Sequence, residues 1–578
     1  MALDGLNRFS KAPQGAPISR SRMDRSHLHK TTFNSGDLVP FLFDEVLPGD
    51  TYDVDLSYVV RGITPIVPVI DNSYIDFYFF FVPHRLCVMN HRPDDKIFEQ
   101  MNGENTQGYW ANDEEVELPQ AIFKGCQPMS VANYLGLPIK KITASNGIAI
   151  LGDPFVGYNL IWNEWFRDQN TQAPVDAYTY GFNADFSISP VKLSEQFNYG
   201  LSDSCLKVNK FHDYFTSALP APQKGESVLL PLAGEAPITG STRVIIDGQD
   251  LDSNWSPHFN NVPSGNPVNL QAQNVVNGNY AAGTIGSIPS GGQPTSTIGE
   301  SLRVDNATGR VVGPFAANLA EATAASVNQI RQAFAIQKLL EKDARGGSRF
   351  IEILKAHFNV SIRNDVLQRP EYLGGTRIPL NITQVLQTSS TDETAPLGFT
   401  GAFSNTSGQH QAKFVKSFVE HGYIYGVCCV RTQQTYSQGI NRSWFKFRRY
   451  DYYWPVFANL GEQAIYEKEI YAGFDKESDD SVFGYQEAWA EYRYKPSLVT
   501  GLLAPNAEDA SLRSWTYTND FSDAPVLNSD FMKQDKSNVG NTLAVTDSNL
   551  QFIADFYIKM YCTRPMPIYS IPGLIDHH

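Results

Sequence analysis

The stretch Tyr52-Asp-Val-Asp-Leu-Ser-Tyr-Val-Val60 decides the fold class. In an extended chain Tyr52, Val54, Leu56, Tyr58 and Val60 share one face, while Asp53, Asp55 and Ser57 share the other. This alternation predicts a strand with one face in a core. Gln551–Tyr561 repeats it near the C-terminus, with Phe552, Ala554, Phe556, Ile558 and Met560 opposing Ile553, Asp555, Tyr557, Lys559 and Tyr561. Tyr74–Val82 is apolar on both faces except at Asp76, which predicts a strand deep inside a sheet. Further strands are expected around Phe414–Arg431 and Ser443–Tyr453. Partners this far apart in sequence imply non-local pairing, as in a sandwich whose connections carry long insertions.

The chain has 578 residues, a length that by itself suggests three or four domains at roughly 100–200 residues each. It is 42% hydrophobic and 12% aromatic, enough to bury a large core and to exclude disorder throughout. A formal charge of −15 excludes coating of nucleic acid by a global positive field, so polyanion binding requires a local basic segment. The first eight residues lack the apolar centre of a signal peptide. No window approaches the roughly 18 uninterrupted apolar residues of a membrane helix. A soluble chain with no membrane partner is expected. Cys87, Cys126, Cys205, Cys428, Cys429 and Cys562 form no CxxC pair and read as small buried hydrophobes in a reducing compartment.

Residues 1–30 stand apart. Arg8, Lys11, Arg20, Arg22, Arg25 and Lys30 face only Asp4 and Asp24, a net of +4 that leaves −19 for the rest. Pro13, Pro17 and several Ser predict an extended, flexible arm, a candidate for contact with a polyanion. Ser253–Gly299 contains no Asp, Glu, Lys or Arg, and is expected to be an exposed, partly ordered excursion. Ala316–Ala344 carries Val327, Ile330, Phe334, Gln337 and Leu340 at helical spacing, with Gly346-Gly347 as a stop. Ser348 is placed to cap a second short helix running through His357.

Catalytic signatures are absent: there is no GxxxxGK[ST], GxGxxG, HExxH, GxSxG or EF-hand loop. No enzyme activity, cofactor or metal site is predicted. One run is chemically suggestive, Trp444-Phe-Lys446-Phe-Arg448-Arg449-Tyr450-Asp-Tyr-Tyr-Trp454. Rings flanked by cations suit unpaired bases and phosphates, although a core strand with a charged outer face has the same composition.

Several stretches together resemble the major capsid proteins of the gokushovirus branch of the microviruses, phages with circular single-stranded DNA. They include Arg25-Ser-His-Leu-His-Lys-Thr-Thr-Phe33, Asp44-Glu-Val-Leu-Pro-Gly-Asp50, Phe80-Phe-Val-Pro-His-Arg-Leu86 and Arg369-Pro-Glu-Tyr-Leu-Gly-Gly375. Phe418-Val-Glu-His-Gly422, Asp451-Tyr-Tyr-Trp-Pro455 and Phe483-Gly-Tyr-Gln-Glu487 follow in order. The similarity is poor from about Lys224 to Phe315 and at Cys87–Pro93.

The resemblance implies a mainly β fold, a single viral eight-stranded antiparallel jelly roll with very long inter-strand insertions and a few helices. It implies a basic arm (1–30) and one capsid domain (31–578), with 224–315 an inserted surface excursion and 316–357 a helical insertion. It further implies self-assembly into a T=1 icosahedral shell around circular single-stranded DNA, in a virion assembled in the cytoplasm of a bacterial host. Expected partners are further copies of the chain, the DNA genome, a small basic DNA-binding protein, a pilot protein, an internal scaffolding protein and a host-surface receptor. Candidate interior DNA contacts are Arg8, Lys11, Arg20, Arg22, Arg25, Lys30, Lys446, Arg448 and Arg449. Candidate host-attachment positions in the excursion are Asn254, Trp255, Asn277 and Tyr280. A secreted or surface glycan-binding β-sandwich protein is the alternative, and a large hydrolase has only unassigned carboxylates behind it.

Overall fold

The computed structural model describes residues 19–87, 120–123, 125–139, 148–175, 205–226, 228, 245–246, 249–250, 268–276, 279–288, 303–305, 310–312, 327–347, 349–360, 363, 368–386, 388, 400–475, 479–505, 507, 512–544 and 550–569. The chain divides into two compact units, Met1–Lys224 with Glu341–His578, and Gly225–Leu340.

Two antiparallel sheets organise the first unit. Their strands are β1 (Ser21–Asp24), β2 (His27–Phe33), β3 (Val39–Val46), β4 (Thr51–Gly62) and β5 (Ser73–Pro83) from the N-terminal part. From the C-terminal part come β6 (Glu371–Pro379), β7 (Ile382–Leu386), β8 (Thr400–Ser417), β9 (Gly422–Thr432) and β10 (Phe552–Arg564). One sheet runs β2–β10–β4–β8–β7, with β1 also on β10; the other runs β3–β9–β5–β6. The fold is therefore mainly β and antiparallel.

The alternation read in the sequence appears directly in the burial. In β4, Tyr52, Val54, Leu56, Tyr58 and Val60 are buried, and in β10 Phe552, Ala554, Phe556, Ile558 and Met560 are buried. β4 and β10 pair in register, Phe556 opposite Tyr58, so the two apolar rows form one surface. The second sheet packs on it through aromatic rings. Phe41 meets Phe556, Tyr58 meets Phe77, and Phe79 meets Phe414, each at 5.1 Å between centroids. Rings so placed add attraction beyond their buried area.

β5 is apolar on both faces because both are covered. Phe77 and Phe79 point at the other sheet, whereas Tyr78 and Phe80 point at Phe166 and Trp165, 5.3 and 5.5 Å away. Those two residues end the helix Asp153–Ile161 and its wider-wound continuation Trp162–Phe166. The helix approaches closely because position 157 is glycine, where a Cβ would fall 2.3 Å from the Tyr425 hydroxyl oxygen. That hydroxyl donates to the Pro154 carbonyl (2.8 Å). Asp76, the lone charge of β5, is met by Arg377 of β6 and Arg431 of β9.

The region Phe414–Arg431, expected as strand, contains the end of β8 and most of β9, with 418–421 between them. Residues 205–226 and segments between β9 and β10 build a smaller core around Phe215, Tyr436, Ile465, Phe483 and Phe531. The predicted helical island is a helix at Val327–Arg345, and Gly347 beyond it takes φ = 93°, which glycine adopts without strain. A second helix spans Phe350–Phe358 with Arg349 in the cap position; Ser348, expected there, lies outside the described residues. All six cysteines are buried free thiols, and burial pushes those of Cys87, Cys205 and Cys428 well up. No described helix is long and apolar enough to cross a membrane.

Candidate nucleic-acid interface

The basic N-terminal segment is strand, not a free arm, from Ser21 onward. β1 and β2 both lie antiparallel on β10, with Arg22 opposite Thr563 and Lys30 opposite Asp555. The physical reason is the edge of β10, whose backbone donors and acceptors need partners once β4 has taken the other side. Phe33 then anchors β2 by packing on Phe552 at 5.7 Å. His29 ties the two sheets together at this edge: its Nδ1 donates to the Phe41 carbonyl at 2.7 Å, since a carbonyl only accepts. The period-two row His27, His29, Thr31, Phe33 was the available strand signal.

Pairing also engages the cations. Arg20 donates to the Gly49 carbonyl and to Thr51 Oγ1 (3.3 Å). Arg22 lies over the Tyr561 ring, 4.0 Å from its centroid, and 4.0 Å from Asp53. Arg25 pairs with Asp44, which also accepts from the Tyr52 hydroxyl (2.9 Å). Burial raises the Asp44 carboxyl, and the Arg25 charge works in the opposite direction. Arg20, Arg22 and Lys30 remain exposed, whereas Arg25 is partly buried as a structural cation. Arg8 and Lys11 lie outside the described residues.

The run at 443–453 is not the expected strand. It winds through three short 3-10 turns, Arg442–Phe445, Arg449–Asp451 and Pro455–Phe457. Local capping causes this. Asn441 accepts from the Ser443 N–H (3.0 Å), and Asp451 accepts from the N–H groups of Phe447 (2.9 Å) and Arg448 (2.7 Å). Pro455 starts the last turn, a position where it loses no hydrogen bond. Trp454 Nε1 donates to the Arg449 carbonyl (3.0 Å) and closes the segment on itself.

The turns leave the rings outward. Trp444 is 78% exposed, Phe447 83% and Tyr450 69%, values far above those of a core strand. Arg448 and Arg449 are exposed beside them, Arg449 over the Trp454 ring at 4.9 Å. Lys446, expected to contact DNA, points the other way. Its ammonium pairs with Glu491 (2.8 Å), with both side chains 7% exposed, and it sits over Tyr492 at 3.9 Å. Lys446 therefore anchors the ridge rather than lining it. The ridge presents flat aromatic faces with adjacent guanidinium groups, which can stack unpaired bases and neutralise phosphates.

In the charge-free stretch, Val268–Val276 pairs antiparallel with Asn279–Ile288, with a register shift at Leu270/Gln271. Tyr280 stands opposite Val275. The excursion thus contains a hairpin that its composition did not suggest, although the dipeptide Asn277-Gly278 between valines and Asn279-Tyr280 is a strong two-residue turn signal. Asn254, Trp255 and Asn277 lie outside the described residues. Among the described residues, no group of three or more His, Cys, Asp or Glu is placed to hold a metal ion.

Comparison with known proteins extends over nearly the whole chain. The family profile described as "Capsid protein (F protein)" matches residues 12–574. The chain is 39% identical to the capsid protein VP1 of Bdellovibrio phage phiMH2K, covering 98% of this chain and 97% of that one. It is 37% identical to capsid protein VP1 of Chlamydia phage 1 over 98% of both chains, and 32% identical to capsid protein VP1 of Spiroplasma virus 4 over 97% and 96%.

Proposed function

The chain belongs to the phage capsid protein (F protein) family, and from that premise we propose that it closes into a T=1 icosahedral shell around circular single-stranded DNA. It is a structural protein of the virion capsid, not an enzyme, and it assembles with copies of itself. The observation that carries the shell reading is the strand order. Taken in chain order as B to I, strands β2, β3, β4, β5, β6, β8, β9 and β10 pair as B–I–D–G and C–H–E–F, an order that supports an eight-stranded viral jelly roll. β1 and β7 extend the first sheet beyond those eight. A glycan-binding sandwich gains no support from a whole-chain match to capsid proteins.

Within that shell, DNA meets the ridge carrying Trp444, Phe447, Arg448 and Arg449, together with the exposed Arg20, Arg22 and Lys30. A small basic DNA-binding protein, a pilot protein and an internal scaffolding protein are the further partners of assembly, which takes place in the host cytoplasm. The excursion within Gly225–Leu340 forms the surface protrusion that meets the host receptor. Its charge-free composition and its hairpin support an exposed recognition element rather than a core layer. Excising 253–299 is expected to leave shells that assemble with normal yield but adsorb to host cells at least tenfold more slowly. Adsorption at the normal rate would remove the excursion from host recognition.

A further inference from the structure

A cleft of about 540 Å³ opens in the first unit between residues 207–210 and the segment 513–538. Five cations line it, Lys207, Lys210, Arg513, Lys533 and Lys536. Three of them are already neutralised: Lys207 by Asp37, Arg513 by Asp520 (2.8 Å) and Lys533 by Asp530 (2.9 Å). The third lining carboxylate, Asp535, accepts from the Ser537 N–H at 2.9 Å and from its hydroxyl.

Lys210 and Lys536 are in no ion pair among the described residues, although the Asp535 carboxylate lines the same cleft and acts on Lys210, and Lys536 acts on Asp37. Lys210 is 5% exposed, yet no ion pair or hydrogen bond of its ammonium exists among the described residues. Its only close partner there is the Phe531 ring, 4.5 Å from the ammonium. Burial drives the Lys210 ammonium down to about 8, with Asp213 and Asp535 too weakly placed to offset it. Lys536 is exposed at the rim. An ammonium at the floor of a cleft with no ion pair is stabilised by an anion that enters it.

Side-chain amides that line the cleft are hydrogen-bonded into a network. Gln534 Nε2 donates to Thr432 Oγ1 (2.8 Å), Asn519 Nδ2 to Gln434 Oε1 (3.0 Å) and Asn538 Nδ2 to Asn519 Oδ1 (3.1 Å). Such a network fixes the position of the cleft before any ligand arrives. The volume exceeds that of a phosphate ion and suits a nucleotide-sized group.

We propose that this cleft is a phosphate-binding site, with Lys210 at its floor and Lys536 at its rim meeting the anion. The phosphate comes either from the backbone of single-stranded DNA, which rests on the packaging role proposed above, or from free phosphate ion. Neither the N-terminal strands nor the aromatic ridge contributes to it.

Titration calorimetry of the purified full-length chain with sodium phosphate, and separately with an oligothymidylate, tests the site. Lys210→Met and Lys536→Ala are each expected to weaken phosphate binding about tenfold, a loss typical of a charge-assisted contact. Lys413→Ala, an exposed cation on β8, serves as the control and is expected to change nothing. Weakening of both ligands assigns the site to nucleic-acid phosphate. Weakening of phosphate alone assigns it to the free ion and leaves the DNA contacts to the ridge. Phosphate binding that is absent, or indifferent to both lysines, overturns the proposal. Lys536→Ala alters only an exposed side chain, so the test stands even if Lys210→Met folds poorly.

Discussion

Asp76→Ala is expected to destabilise the chain by about 3–5 kcal/mol, the range for breaking a buried ion pair by removing one partner. Asp76 sits on the outer face of β5 and is 1% exposed. Arg377 stands directly opposite on β6, donating through Nε at 2.7 Å and Nη2 at 3.3 Å. Arg431 approaches from β9, where its Nε lies 3.0 Å from the same carboxylate. Both guanidinium groups also lie over the Phe211 ring, at 4.3 and 4.4 Å from its centroid. Removing the carboxylate leaves two cations facing each other, with the Arg431 side chain only 13% exposed. Glu420→Ala supplies the comparison, because its pair with Arg85 is much more open, at 34% and 24% exposed. Its loss should cost no more than about 1 kcal/mol. Denaturant unfolding of both variants measures the difference, and equal losses would mean that Asp76 does not hold the sheet.

Replacing both Trp444 and Phe447 with Ala is expected to weaken single-stranded DNA binding at least about 30-fold. Base–aromatic stacking contributes roughly 1–3 kcal/mol per base, so two platforms lose at least about 2 kcal/mol. Both rings are more than three-quarters exposed, so truncation should leave the fold intact. Arg448→Ala with Arg449→Ala should act differently, flattening the salt dependence of binding by about 0.7 in log–log slope for each phosphate no longer neutralised. Filter binding at several salt concentrations separates the two effects. Unchanged affinity combined with failed assembly would make the ridge an interface between copies of the chain instead.

The sandwich was legible because its central strands are simple physical objects. β4 and β10 each bury one face, so their period-two pattern survives in the sequence, and β5 buries two, so its run is apolar. Less legible were places where a local rule competes with composition. The ridge has the aromatic content of a strand, but Asp451 captures two backbone N–H groups and turns it. The N-terminal cations looked like a solvated arm, but the edge of β10 recruits their backbone. Lys446 and Arg25 could not be told from surface cations by sequence, because Glu491 and Asp44 become their partners only on folding. The hairpin at 268–288 was marked by a single dipeptide inside a low-complexity stretch.

Cryo-electron microscopy of purified particles tests the central claim most directly. The prediction is a closed T=1 shell whose subunits are jelly rolls of this chain, with single-stranded DNA inside and ordered density against Trp444 and Phe447. Monomers or small oligomers, or closed shells with DNA density nowhere near those rings, would contradict it.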